Sequence, residues 1–286
     1  MQAEVLEFLK VRPDGVYIDA TLGGGGHAEA ILRILAVGEG RLLGIDRDPE
    51  AVERSRGRLK DFGERLRVMQ GNMAELASLH EASALGPADG ILADLGVSSL
   101  QLEEAARGFS FSREGRLDMR MGREGVTAEE MVNRLPEQDL ANLIYQLGEE
   151  RHSRGIARAI VKARPIRTTT ELAQVVTRAI PSRAGLHHLH PATRTFLALR
   201  LAVNHELESL EAFLPQAVAA LGPGGRLVIL TFHSLEDRIA KRAFQQFARD
   251  GRAKILTRHV VRPSQEEIQQ NPRARSAKLR AVEKQG

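Results

Sequence analysis

Three aspartates, each closing a short apolar run, are the residues of this chain most able to do chemistry together. They are Asp19 after Val16-Tyr17-Ile18, Asp46 after Leu42-Leu43-Gly44-Ile45, and Asp94 after Ile91-Leu92-Ala93. Behind the first come Thr21 and Leu22, then the glycines Gly23 to Gly26, then His27. Glycine has no Cβ, so such a run tolerates positive φ and lets a ligand approach the backbone. A loop of this kind suits a nucleotide-like cofactor, and the acids narrow which one. A pyrophosphate held at the loop would be repelled by a carboxylate at the end of the first strand. A cofactor with a cationic amino-acid end and no phosphate, such as S-adenosylmethionine, fits better. Asp19 can face its ammonium or sulfonium, and Asp46 can accept hydrogen bonds from ribose hydroxyls. On these strands alone, a nucleotide-binding sheet of unspecified ligand stays open.

The elements that position these residues follow from periodicity. Residues 16–18, 41–46, 66–69 and 89–94 are short and apolar, as buried strands are. Between the first two, Ala28, Ile31, Leu32 and Leu35 share one helical face, so the glycines occupy a strand-to-helix turn. Asp48 and Pro49 open a helix to about Lys60 as N-cap and first helical residue. The turn Gln70-Gly71-Asn72-Met73 leads into a helix over 74–80. Strands alternating with helices imply a parallel sheet, and ligands bind outside the carboxyl ends of its strands, where the acids stand.

From about Arg107 the alternation stops. Thr127 with Glu130 and Thr168 with Glu171 have capping-box spacing, Pro136 marks a helix start and Gly148 a stop, so an all-helical domain is inserted. A helix over 191–210 leads back to the sheet, and Arg226–Thr231 is the next strand. His233 follows it, either to contact substrate or to pack at the start of a helix capped by Ser234 and Asp237. A further strand is expected over 252–261, and 264–286 reads as a basic, partly flexible tail. The expected division is 1–105 and 203–286 for the α/β domain and 106–202 for the insertion. His187, His188 and His190 invite a metal site. A polar helix start explains them better, because no carboxylate or cysteine ligand is fixed beside them.

Composition sets limits. The 286 residues suffice for one large or two modest domains. Cysteine is absent, which excludes disulfides, thiolate metal sites and the cysteine nucleophile of cytosine-C5 methylation. Glu4 and Glu7 stand where a signal peptide would be basic and then apolar, and no apolar run is long enough to span a membrane. The expectation is a soluble cytoplasmic protein without a membrane partner, its oligomeric state open. Net charge is +4, and basic residues concentrate in Arg151–Arg167 and Arg252–Lys284, which favours a polyanionic partner. Tryptophan is absent and aromatics are few, so an extended base-stacking platform is not expected.

Together these segments resemble a known family. They are DATLGGGGHA from Asp19, GIDRDP from Gly44, DLGVSSLQL from Asp94, RGFSFSREGRLDMRM from Arg107, LPEQDLANLIYQLGEER from Leu135, RPIRTTTEL from Arg164, HPATRTFLALRLAVNHEL from His190, PGGRLVILTFHSLEDR from Pro223 and NPRARSAKLRAVE from Asn271. The chain is similar to the bacterial ribosomal small-subunit RNA cytosine-N4 methyltransferases, the MraW family, over nearly its whole length. The resemblance implies an α/β class I (Rossmann-like) methyltransferase sheet with an inserted all-helical domain. It implies S-adenosylmethionine as cofactor and a cytidine of 16S RNA, within the small ribosomal subunit, as target. By motif position it places cofactor contacts on Gly25, Gly26, His27, Asp46, Met73, Asp94 and Gln101. The chain departs from the family at Gly24, where an arginine or lysine is common, and at Met73, where an aromatic is common. Methionine there would cover adenine by soft packing instead of stacking. The target N4 lone pair is conjugated into the ring, so an acceptor for its amino group must raise its nucleophilicity, and Asp94 is the candidate. The transfer requires no metal. A non-catalytic RNA chaperone or assembly factor with a vestigial cofactor pocket is the alternative from another class.

Overall fold

A computed structural model describes residues 1–180 and 190–286. The chain forms two compact units, Met1–Gly96 with Leu207–Gly286, and Val97–Glu206.

In the first unit α1 (Gln2–Leu9) precedes β1 (Val16–Asp19), α2 (Gly26–Leu35), β2 (Arg41–Asp46), α3 (Pro49–Arg58), β3 (Leu66–Gln70), α4 (Leu76–Ala82) and β4 (Ala88–Asp94). The second unit holds α5 (Ser99–Glu103), α6 (Ala128–Arg134), α7 (Glu137–Gly148), α8 (Ser153–Ala163), α9 (Thr169–Ala179) and α10 (Thr193–Asn204). The chain returns through α11 (Glu206–Ala220), β5 (Leu221–Thr231), α12 (Ser234–Arg249), β6 (Ala253–Ile255), α13 (Gln265–Gln270) and β7 (Lys278–Lys284). The seven strands make one sheet in the order β3-β2-β1-β4-β5-β7-β6. All pairings from β3 to β5 are parallel, and β7 runs antiparallel to both β5 and β6. This is the expected class I α/β sheet.

The sheet is buried on both faces, which explains why its strands read as continuous apolar runs. Successive residues point to opposite sides. Ile18, Leu43, Ile91 and Ile229 pack with Phe213 of α11 and Phe244 of α12. Tyr17, Leu42, Leu92 and Val228 pack with Leu9 of α1 and Ile31 of α2.

The segment 264–286 is the chief departure from expectation. It is not a flexible tail: Lys278–Lys284 is a strand between β5 and β6, with Leu279, Ala281 and Val282 fully buried. Its charges hid it, and each has a partner in the fold. Arg280 Nε donates to Asp237 Oδ1 at 2.7 Å, Lys278 Nζ lies 3.5 Å from Asp237 Oδ2, and Glu283 Oε2 accepts from Arg226 Nε at 2.9 Å. The expected strand over 252–261 shrinks to Ala253–Ile255, with one further bridge from Val261 to Leu279.

In the helical unit the capping boxes at Thr127–Glu130 and Thr168–Glu171 form as the spacing predicts. Gly148 ends α7 for another reason than a left-handed φ, which falls on Glu149 at +49°. A Cβ at Gly148 would stand 2.6 Å from the Arg194 carbonyl, so α10 passes too close for a side chain. The helix expected over 191–210 is broken at His205, whose φ is +48°. Asn204, at the end of α10, binds the Met119 carbonyl (2.7 Å) and the Met121 N–H (2.8 Å), and so fixes the irregular 107–127 segment. The units divide at Gly96 and Leu207, not at 105 and 202, because Val97 and Leu102 pack in the helical cluster and α10 runs to Asn204. Among the described residues, no helix is long and apolar enough to cross a membrane, and no three His, Asp or Glu stand together as a metal site. His187 and His188 lie outside the described residues.

Candidate active site

The glycine turn is fastened from several directions. Leu22 N–H donates to the Ile45 carbonyl and Gly25 N–H to the Leu22 carbonyl, each at 2.8 Å. Gly25 has φ +76°, and a Cβ on it would crowd Leu59 and Ser55 of the neighbouring helix at 3.2 Å, so both backbone and packing require glycine there. Gly24 and Gly26 are different: a Cβ on either meets nothing within 4 Å. Their open side is where a ligand can lie against the backbone, and the basic residue common at position 24 in the family would fit sterically. From outside the loop Ser55 Oγ donates to the Gly23 carbonyl and Arg58 Nη1 to the Gly24 carbonyl, both at 2.9 Å.

Asp19, Asp46 and Asp94 are the last residues of β1, β2 and β4, and β1 lies between the other two strands. Asp46 Oδ2 accepts the Gly23 N–H at 2.7 Å and its Oδ1 the Asp48 N–H at 2.8 Å, so one carboxylate ties the glycine turn to the start of α3. Burial raises its pKa against those two hydrogen bonds. Asp19 is 1% exposed, and its Oδ1 accepts the Thr21 N–H at 3.2 Å. Burial pushes its carboxyl up to about 7, against the attraction of His27 and with the repulsion of Asp94 and Asp46 behind it. Thr21 Oγ1 in turn accepts the Asp94 N–H at 2.6 Å, so one short turn joins two strand ends.

His27 stands in the first turn of α2 with Nε2 3.5 Å from Asp94 Oδ2. Burial pulls its pKa down, but the Asp94 carboxylate, helped by Asp19, more than offsets this and holds it above the ordinary histidine value. His27 Nδ1 and Asp94 Oδ1 are buried without a hydrogen-bond partner. Orphaned polar atoms of this kind mark where a group from outside the chain completes the bonding. Acceptors clustered at one sheet edge, with clear glycine backbone beside them, suit a ligand that brings a cation and hydroxyl donors.

Other expected residues take varied places. Met73, half-buried at the end of the turn after β3, packs against the sheet's core cluster. Gln101 lies in the helical unit, where its Oε1 accepts the Ser98 N–H at 3.0 Å in a capping box. His233, not Ser234, holds the N-cap position of α12, and the capping carboxylate is Glu236. Glu236 Oε2 accepts the N–H groups of Phe232 (3.0 Å) and His233 (3.4 Å). Asp237 turns instead to Arg280 and Lys278. Thr21 and Glu236 escaped the sequence reading. The first was legible as the residue two past a strand-end acid, the second as the third helical residue after His233.

The whole chain, residues 1–285, matches the model of the MraW methylase family. It is 50% identical to "Ribosomal RNA small subunit methyltransferase H" of Syntrophobacter fumaroxidans, over 100% of this chain and 95% of that protein. A protein of the same name from Acidobacterium capsulatum is 50% identical, covering 98% and 96%. The Geobacter sulfurreducens protein of that name is 49% identical, covering 99% and 97%.

Proposed function

Because this chain belongs to the MraW methylase family, we propose that it methylates the exocyclic N4 amino group of a cytidine in 16S ribosomal RNA, with S-adenosylmethionine as methyl donor. The observation that carries the reading is the set of three strand-end carboxylates around the glycine turn, with an orphaned acceptor on Asp94. The donor set fits the cofactor: its cationic amino-acid end answers Asp19, and its ribose hydroxyls answer Asp46. Bound there, S-adenosylmethionine supplies an electrophilic methyl group on sulfonium.

The chain's own residues do the rest. Gly25, Gly26 and His27 would line the cofactor at the turn, Met73 would cover the adenine by soft packing, and Gln101 is the further contact that the family resemblance implies. Asp94 accepts a hydrogen bond from the target amino group, which raises the nucleophilicity of N4 as positive charge develops. His27 fixes the rotamer of Asp94 through its other oxygen. The helical unit and its arginines recognise the RNA, within the small subunit and in the cytoplasm. The extruded base costs least in a loop or single strand.

The arginines differ in how free they are. Arg164, within the basic run Arg151–Arg167, donates to the Val132 and Leu135 carbonyls at 2.8 and 2.5 Å and so caps α6, which leaves it less free to meet phosphates. Arg154 and Arg167 are exposed and suit phosphate contacts. Mass spectrometry of nucleosides from 16S RNA, incubated as naked RNA or as small subunits with protein and S-adenosylmethionine, tests the proposal. N4-methylcytidine should appear, with the higher yield from subunits. Its absence from both would leave only an RNA-binding protein.

A further inference from the structure

His233 lies at the same edge of the sheet as Asp94. Asp94 pairs with Leu230 of β5, and Leu95 N–H donates to the Leu230 carbonyl at 3.0 Å. β5 ends at Thr231, and the chain continues through Phe232, whose ring a Cβ on Gly96 would touch at 3.7 Å, to His233. The His233 side chain is 12% exposed, and its Nε2 lies 3.0 Å from Oε1 of Glu236, itself 3% exposed. Both ring nitrogens are buried without a formed hydrogen bond. Glu236 takes the backbone N–H groups of Phe232 and His233 as the acid of the α12 capping box. A carboxylate beside one ring nitrogen and an unmet second nitrogen is the arrangement that orients an imidazole to accept a proton.

We propose that His233 is the catalytic base that takes the N4 proton during methyl transfer, and that Glu236 is its positioning residue. The inference rests on the N4-methylation reading. As the N4 lone pair forms the new carbon–nitrogen bond, the methyl–sulfur bond breaks and its electron pair stays on sulfur. N4 then carries a positive charge and two protons. One remains on the product amine, and the other passes to Nδ1 of His233, whose Nε2 stands 3.0 Å from the Glu236 carboxylate. The resulting imidazolium is stabilised by Glu236 and later releases its proton to solvent. Asp94 and His233 thus divide the two N–H groups of the target, one accepting a hydrogen bond and the other the proton.

The test is His233→Asn in the full chain. Asparagine is a favoured N-cap residue, so it supplies any structural role at the start of α12 while being unable to take the proton. Single-turnover methyl transfer is measured at saturating S-adenosylmethionine and RNA, beside calorimetric affinity for S-adenosylmethionine and the melting temperature. General base catalysis is worth roughly 10²–10⁴-fold, so the expected result is at least a tenfold loss of rate, with cofactor affinity within about threefold of wild type. His233→Gln, which keeps a polar amide further from the backbone, should lose rate likewise. A rate within tenfold of wild type for either variant, or a loss that disappears as ligand concentrations are raised, overturns the proposal. Wild-type protein that forms no N4-methylcytidine would instead sink the reading beneath it, and this inference with it.

Discussion

Aspartates at two places, the ends of β1 and β2 and the start of α12, show opposite electrostatics. At the carboxyl ends of β1 and β2, burial drives Asp19 and Asp46 above the ordinary carboxylate range. On α12, burial also pushes Asp237 up, but Arg280 and Lys278 more than offset it and hold the group below that range. Asp237 is a finished interaction that joins α12 to β7. The strand-end acids are held differently: backbone N–H groups are the hydrogen-bond donors to Asp19 and Asp46, and Asp94 Oδ1 has none. Perturbed groups held this way mark functional sites, whereas paired ones serve the fold.

The comparison breaks first at Asp94. Asp94→Ala should cut the rate at saturating cofactor by about 100-fold or more, as loss of a transition-state contact does. Full recovery under saturation would make Asp94 a cofactor ligand only. Thermal stability should change little at neutral pH and above, because the partner released is His27, which can become neutral.

Asp237→Ala should behave the other way, lowering stability by about 1–3 kcal/mol through loss of a charge-assisted hydrogen bond and leaving half-buried Arg280 unpaired. Cofactor affinity should hold. Because the folded-state pKa of Asp237 is depressed, its contribution is present above the unfolded carboxylate value and is lost as pH falls through the folded one. Denaturant midpoints against pH for both proteins would converge in acid, and curves that stay parallel would remove Asp237 from the account.

The smallest effect sharpens the contrast. With its carboxyl near 7, Asp19 must lose a proton to face a cation, so S-adenosylmethionine affinity should be level above that pH. Below it, affinity should weaken by up to about tenfold per pH unit. The sign for the free protein is opposite: a raised pKa stabilises the fold in acid, and this is lost as pH rises from about 3.8 to about 7. Asp19→Asn should flatten both profiles in calorimetry and in melting curves. A pH dependence that survives the substitution would assign it to Asp46 or His27.

The sequence by itself determined the parallel half of the sheet, the glycine turn and the acids at its edge. Strands buried on both faces write themselves as apolar runs, and an acid that ends such a run is placed at the ligand-binding edge by topology alone. It also determined the capping boxes of α6 and α9, because those bonds close within four residues. Only the tertiary structure decided what depends on distant partners. Lys278–Lys284 reads as a charged tail until Arg226, Asp237 and the flanking strands are seen to satisfy it. Arg164 reads as one more member of a basic run until the end of α6 is seen to take its guanidinium. His233 reads either as a substrate contact or as a helix-start residue until Glu236 is found 3.0 Å from its Nε2. Local pattern encodes hydrogen bonds between near neighbours in sequence, whereas the partner of a long charged side chain is chosen by the fold.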